Sequence, residues 1–265
     1  MIRRPVFFAC ALFLACPVWG ETSTGAFTTA AIPWTIGEKL SFTIKVGFLS
    51  AGRASLEVKE FADLEFSTNG VTHKYKTTHL MATAYSNNFV DAFYKVRDHN
   101  ESWLDTGTWV SHRFEQHNQE GSYYLEQIAD FDWINKRFKI TDYVRGRVPK
   151  IEEGDLTIPV VDTLSALYLT RMRPLIVGED FSLDVHSGRT YAMVVKVYRK
   201  EKVKVKAGTF ECFVVEPFLK ERGLFIQKGK NLQVWLTADE RKLPVKMQAE
   251  IFIGHVTAEL AEIKQ

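Results

Sequence analysis

The chain's 265 residues are 46% hydrophobic, 25% charged and 13% aromatic, enough apolar material for a sizeable core and a composition that excludes a disordered chain. The formal charge of +2 arises from 34 Lys and Arg against 32 Asp and Glu, and Arg3 and Arg4 account for all of that excess. The neutral remainder argues against nucleic acid as a partner, because affinity for phosphates needs clustered cations that release counterions.

After Arg3 and Arg4, Val6 to Ala15 form an apolar run, and Val18-Trp19-Gly20 offers a small-x-small cleavage site before Glu21. This pattern predicts a signal peptide over 1–20, too short to span a bilayer, and so an exported protein with the periplasm as its expected compartment. Phe13-Leu14-Ala15-Cys16 loosely resembles a lipoprotein box and leaves open a second route, lipid anchoring through Cys16. Beyond the signal no apolar run reaches the roughly 18 residues of a transmembrane segment. Residues 21–35 read as a flexible lead-in to one β-rich domain over 36–265. Cleavage removes Cys10 and Cys16; Cys212, beside Phe213, Val214 and Val215, then reads as a buried small hydrophobe with no disulfide partner.

From Lys39 to Phe48 the apolar residues Leu40, Phe42, Ile44, Val46 and Phe48 alternate with polar ones, the pattern of a half-buried strand. Gly47 and Ser50-Ala51-Gly52 punctuate it, and Ala54, Leu56 and Val58 resume the period as the second arm of a hairpin. Further strands are predicted over 75–85, 93–103, 109–117, 122–131 and 137–143. The second half continues with 180–186, 191–199, 201–206, 209–218, 224–227, 232–236, 245–253 and 256–261. Short links such as Ser187-Gly188 and Ala207-Gly208 favour antiparallel neighbours. Between the halves, Asp162 to Arg173 carries an N-cap at Asp162, apolar Leu164, Leu167, Tyr168 and Met172, and a stop at Pro174, which predicts one amphipathic helix. The expected fold is all-β, a large curled antiparallel sheet or open β-barrel with that helix packed on it or plugging it. A linker helix between two domains is the alternative.

Phe93 to His117 holds the candidate site. A three-residue loop, Asp105-Thr106-Gly107, pairs Leu104 with Thr108 and sets Trp103 opposite Trp109, His99 opposite Arg113 and Arg97 opposite Glu115. The other face collects Asp98, Asn100 and His112 with Val96, Val110 and Phe114. Pointing inward, Asp98, Asn100, His112 and Phe114 form a ligand-binding surface of polar groups among apolar ones; pointing outward, the same residues belong to a projecting polar hairpin.

Several segments taken in order resemble an exported bacterial family known as domain of unknown function 3108. They are Gly37-Glu38-Lys39-Leu40, Ala51-Gly52-Arg53-Ala54-Ser55-Leu56-Glu57-Val58, Asp162-Thr163-Leu164-Ser165-Ala166-Leu167-Tyr168, Ala207-Gly208-Thr209-Phe210, Val214-Val215-Glu216-Pro217, Val234-Trp235-Leu236-Thr237, Arg241-Lys242-Leu243-Pro244-Val245 and Val256-Thr257-Ala258-Glu259-Leu260. The resemblance implies a β-rich exported protein and transfers no catalytic residues.

The seven histidines show no His-Glu-x-x-His and no compact Cys/His spacing, and Glu152-Glu153 reads as a solvated pair in a loop. Gly-rich phosphate loops and a Gly-x-Ser-x-Gly elbow are missing from the sequence, so no metal or cofactor is expected. The leading expectation is a non-enzymatic envelope protein that binds an apolar or amphipathic ligand, a lipid or a lipidated segment. The alternative is an envelope interaction or assembly module that docks through strand edges or through Trp103 and Trp109. A hydrolase with a dispersed site at Asp98 and His112 ranks third. Outward Lys, Glu and Arg argue against an integral outer-membrane barrel.

Overall fold

The computed structural model describes residues 32–68, 70–221, 224–226, 232–250 and 254–265; the signal over 1–20, its Cys16 and the lead-in up to 31 lie outside the described residues. The first hairpin forms β1 (Lys39–Val46) and β2 (Leu49–Thr68), burying Leu40, Phe42, Leu56 and Val58. A meander follows through β3 (Val71–Ser86), the one-turn helix α1 (Asn88–Asp91), β4 (Val96–Asp105), β5 (Ser111–Glu120), β6 (Tyr123–Asp132), β7 (Arg137–Val144) and β8 (Lys150–Asp155). After helix α2 (Thr163–Met172) come β9 (Asp180–His186), β10 (Thr190–Val205), β11 (Gly208–Glu221), β12 (Leu224–Ile226), β13 (Leu232–Thr237), β14 (Pro244–Glu250) and β15 (His255–Lys264).

Glu152 and Glu153, expected in a loop, instead lie in β8. An edge strand pairs on one side only, so its exposed charges mimic loop composition; opposite Phe138, Gly154 leaves room for that ring, since a Cβ there would sit 2.6 Å from Phe138 Cε1. The segments expected as separate strands over 191–199 and 201–206 are one strand, β10, with a register shift between Val197 and Arg199. The bulge inserts a residue, which reverses the alternation and hides the continuity from a period-two reading.

Fourteen strands lie on one antiparallel path, β8-β7-β6-β5-β4-β3-β2-β1-β15-β14-β13-β11-β10-β9, with β12 attached to β11. The join is the pairing of β1 with β15, Lys39 opposite Lys264, which couples the two ends of the described chain. So wide a sheet curls, helped by bulges. It does not close, because its edges β8 and β9 are not paired. The chain after β8 spans the seam instead: Ser111 N donates to Val160 O (3.1 Å), Val161 N to Asp184 O (3.0 Å) and His186 N to Val161 O (2.9 Å). His186 of β9 lies 4.3 Å from the Phe138 ring and 5.5 Å from that of Phe131, so this edge tucks against β6 and β7.

Helix α2 begins as the sequence suggests, with Asp162 Oδ1 accepting from Leu164 N and Ser165 N at 2.8 and 2.9 Å. It is not amphipathic in its surroundings, however. Leu164 to Ala166 and Tyr168 to Met172 are all buried, so the helix plugs the curl and its polar residues need internal partners. Ser165 Oγ meets Ser102 Oγ at 2.7 Å, while Ser102 and Ser111 both donate to Asp162 Oδ2 at 2.6 and 2.5 Å. Arg171 reaches Glu38 through two bonds of 2.7 and 3.0 Å, and also bonds Pro33 O and Arg241 O, both at 3.1 Å. Trp34 and Tyr168 flank its guanidinium at 5.7 and 5.2 Å.

Where β2 meets β3, a Cβ on Gly52 would lie 2.1 Å from Tyr85 O. Backbone cannot yield as a side-chain tip can, so Gly52→Ala is expected to cost about 1–3 kcal/mol. A urea midpoint equal to that of the parent protein contradicts this reading.

Candidate functional site

Register across β2 to β6 stacks three rows of side chains on the face that meets the core. Nearest the helix run Val58, Leu80, Ser102, Phe114 and Ala129; next come Leu56, Ala82, Asn100, Gln116 and Gln127; last come Ala54, Ala84, Asp98, Asn118 and Leu125. The concave face therefore grades from apolar under the plug to small and polar toward the far end. Alanine stands at 54, 82 and 84, all three half-buried, with Ala54 and Ala82 packed against the edge of the core.

Asp98 is only 3% exposed, and its Oδ1 has no hydrogen-bond partner; the same is true of the buried amide oxygens of Asn100 and Asn118. Burial pushes the Asp98 carboxyl up to about 7, against the downward pull of a bond from the Gln119 backbone N–H. Tyr94 is raised to about 12, first by burial and then by the charges of Glu120 and Asp98. Tyr94 and Glu120 also line a cleft of about 790 Å³ with Phe93, Lys95, Tyr123, Tyr124, Val144, Arg145 and Arg147. Three acceptors without donors, beside small apolar residues, suit a molecule that brings hydroxyl, amide or ammonium hydrogens. No three His, Cys, Asp or Glu side chains among the described residues are arranged to hold a metal ion.

A profile of the family described as protein of unknown function (DUF3108) matches residues 41–261. The chain belongs to this family. No curated protein matches this DUF3108 chain. Among solved structures it is similar to a beta-barrel-like protein of domain of unknown function DUF1849 from Brucella abortus, with a TM-score of 0.54 and 8% identity, covering 86% of this chain and 97% of that one. Weaker likenesses are to a candidate exported protein with YmcC-like fold from Bacteroides fragilis (TM-score 0.31, 11% identity, 88% and 98% covered) and a candidate lipoprotein from Parabacteroides distasonis (0.32, 9%, 89% and 100%). The Brucella protein supports the barrel-like fold; no helix among the described residues is long and apolar enough to cross a membrane.

Asp98, Asn100 and Phe114 do share one face in this family member, but the β4–β5 register is four residues from the expected one. Trp103 faces Arg113, His99 faces His117, and Asp98 faces Asn118. The loop is longer than three residues because Asp105 N bonds Val110 O, while Asp105 Oδ1 accepts from Gly107 and Thr108 N–H. Trp109, at φ 58°, takes the left-handed conformation and packs edge-on to Trp34 at 6.4 Å. Burying this indole outweighs the tighter turn. Trp103 stacks on His79 at 4.6 Å, so the two tryptophans do not form a common patch.

His112 leaves the Asp98 face, since a register shift between Trp103 and Leu104 makes it the extra residue of a bulge. Its Nε2 lies 3.0 Å from Asp105 Oδ2 and its ring 4.0 Å from Tyr75. Asn118 and Tyr94 were missed by the sequence reading. The even-numbered alternation from Phe114 through Gln116, Asn118 and Glu120 was the available signal for Asn118, had the strand been extended beyond His117. Cys212 is fully buried, and burial raises its thiol to about 12.

Proposed function

We propose that this protein is a non-enzymatic periplasmic protein that binds an amphipathic ligand, a lipid or a lipidated segment, on the concave face of β2 to β6. The observation that carries the reading is the set of unpartnered acceptors on Asp98, Asn100 and Asn118 beside Ala54, Ala82 and Ala84. A buried polar group without a partner costs stability, so three on one concave patch favour a ligand that supplies donors. The apolar part of the ligand lies over the alanines, toward Leu56 and Phe114. Export is supported by the signal pattern, and the beta-barrel-like neighbour supports a hollow architecture by analogy of fold.

Native mass spectrometry of purified protein is expected to show a bound small molecule that organic extraction removes and a fluorescent fatty acid replaces. Ala84→Phe fills the face and is expected to abolish both. Protein that carries no adduct and binds no fatty acid overturns the proposal.

A further inference from the structure

Antiparallel alternation brings the β1–β2 turn, the α1 segment, the β5–β6 turn and the β7–β8 loop to one end of the rolled sheet. Backbone bonds tie them together: Asn87 N to Ala51 O and Gly121 N to Lys95 O, each 2.8 Å, and Arg145 N to Tyr124 O at 3.3 Å. The four most exposed large apolar side chains among the described residues all project from this rim, Phe48 at 92%, Val148 at 88%, Phe93 at 80% and Phe89 at 67%. Arg53, Lys95, Arg145 and Arg147 are exposed on the same end, and none forms an ion pair with a described carboxylate. Asp91 there is held by Arg97, Glu152 by Lys150, and Glu120 is buried; Glu250, opposite His255 beside the β1–β2 turn, is exposed, so the four cations outnumber it.

We propose that this rim docks the protein on an anionic lipid bilayer. Separate loop tips bearing projecting apolar groups suit an interface with no shape of its own, whereas a protein partner must offer a matching pocket to each. Arg145 stacks on Tyr124 at 3.2 Å and Arg53 lies over Tyr85 at 5.6 Å, contacts that leave their charge without a carboxylate; together with Lys95 and Arg147 they supply charge complementarity to acidic headgroups, and the long stems let apolar carbons sink while the charge stays wet. The cleft lined by Tyr94 and Glu120 opens at the same end, so docking brings its mouth to the bilayer surface. Docking stands independently of the ligand reading.

Sedimentation with phosphatidylglycerol-containing vesicles is expected to pull down the purified protein, while pure phosphatidylcholine vesicles leave it in the supernatant. Lys95→Gln with Arg147→Gln is expected to weaken binding about 30-fold, at roughly 1 kcal/mol for each cation. Phe48→Ser, Phe93→Ser and Val148→Ser together abolish it without changing the circular dichroism spectrum. Ala84→Phe leaves vesicle binding intact, which separates this proposal from the ligand site. The proposal is overturned by a parent protein that ignores anionic vesicles or binds neutral ones equally, or by rim variants that sediment like the parent. A parent dimer that the triple variant dissolves reassigns the rim to self-association.

Discussion

Asp98→Asn is expected to stabilise the protein by about 4 kcal/mol at pH 8 and to change its stability little at pH 4. Burial raises the folded-state carboxyl from 3.8 to about 7. Below 3.8 the group is protonated in both states and nothing is lost. As pH rises toward 7 the unfolded chain ionises first, so folding stability falls across that window by about 1.4 kcal/mol per unit. Asparagine is neutral throughout and abolishes the loss. His186 acts in the opposite sense: burial lowers it from 6.5 to about 4, so its contribution is present above 6.5 and disappears as pH falls through 4. Because both proteins contain His186, the difference between their urea unfolding curves isolates Asp98. A variant that is less stable than the parent at pH 8, or a difference that does not vary with pH, rules out a buried carboxylate whose Oδ1 lacks a donor. A residue that weakens the fold at neutral pH fits a role in binding, where stability and function diverge.

Arg171→Met is expected to cost about 3–5 kcal/mol, because it leaves Glu38 charged, unpaired and 1% exposed inside the protein. The loss extends beyond one ion pair, since Arg171 also bonds the carbonyls of Pro33 and Arg241 and so ties α2 to the residues before β1 and to the β13–β14 turn. Glu38→Leu combined with Arg171→Met removes both charges and is expected to be less harmful than either single change. Thermal and urea unfolding of the four proteins in this cycle measure the coupling. A single variant that loses less than about 1 kcal/mol would mean that water reaches the pair and that the helix is not a sealed plug.

Strand existence and facing were legible in the sequence because alternation is a local property. Leu40, Phe42, Leu56 and Val58 declare their buried face without reference to a partner, and Asp162 declares the start of α2 by a cap made within three residues. Even the candidate face survived a wrong register, because a slip of four residues is a multiple of the two-residue period and keeps Asp98, Asn100 and Phe114 on one side. His112 did not survive, because a bulge adds one residue and reverses facing beyond it. Local pattern carries no sign of that insertion: it is stabilised by Trp109 packing on Trp34 and by His112 against Tyr75, contacts between segments distant in the chain. The pairing of β1 with β15, the seam closed by Val160 and Val161, the all-round burial of α2 and the raised Asp98 carboxyl belong to the same class. The amino-acid sequence by itself determined an antiparallel β protein, a capped helix and its family. Only the tertiary structure decided register, the plug and the unpartnered acceptors, because long-range packing and desolvation act between residues whose proximity no local period encodes.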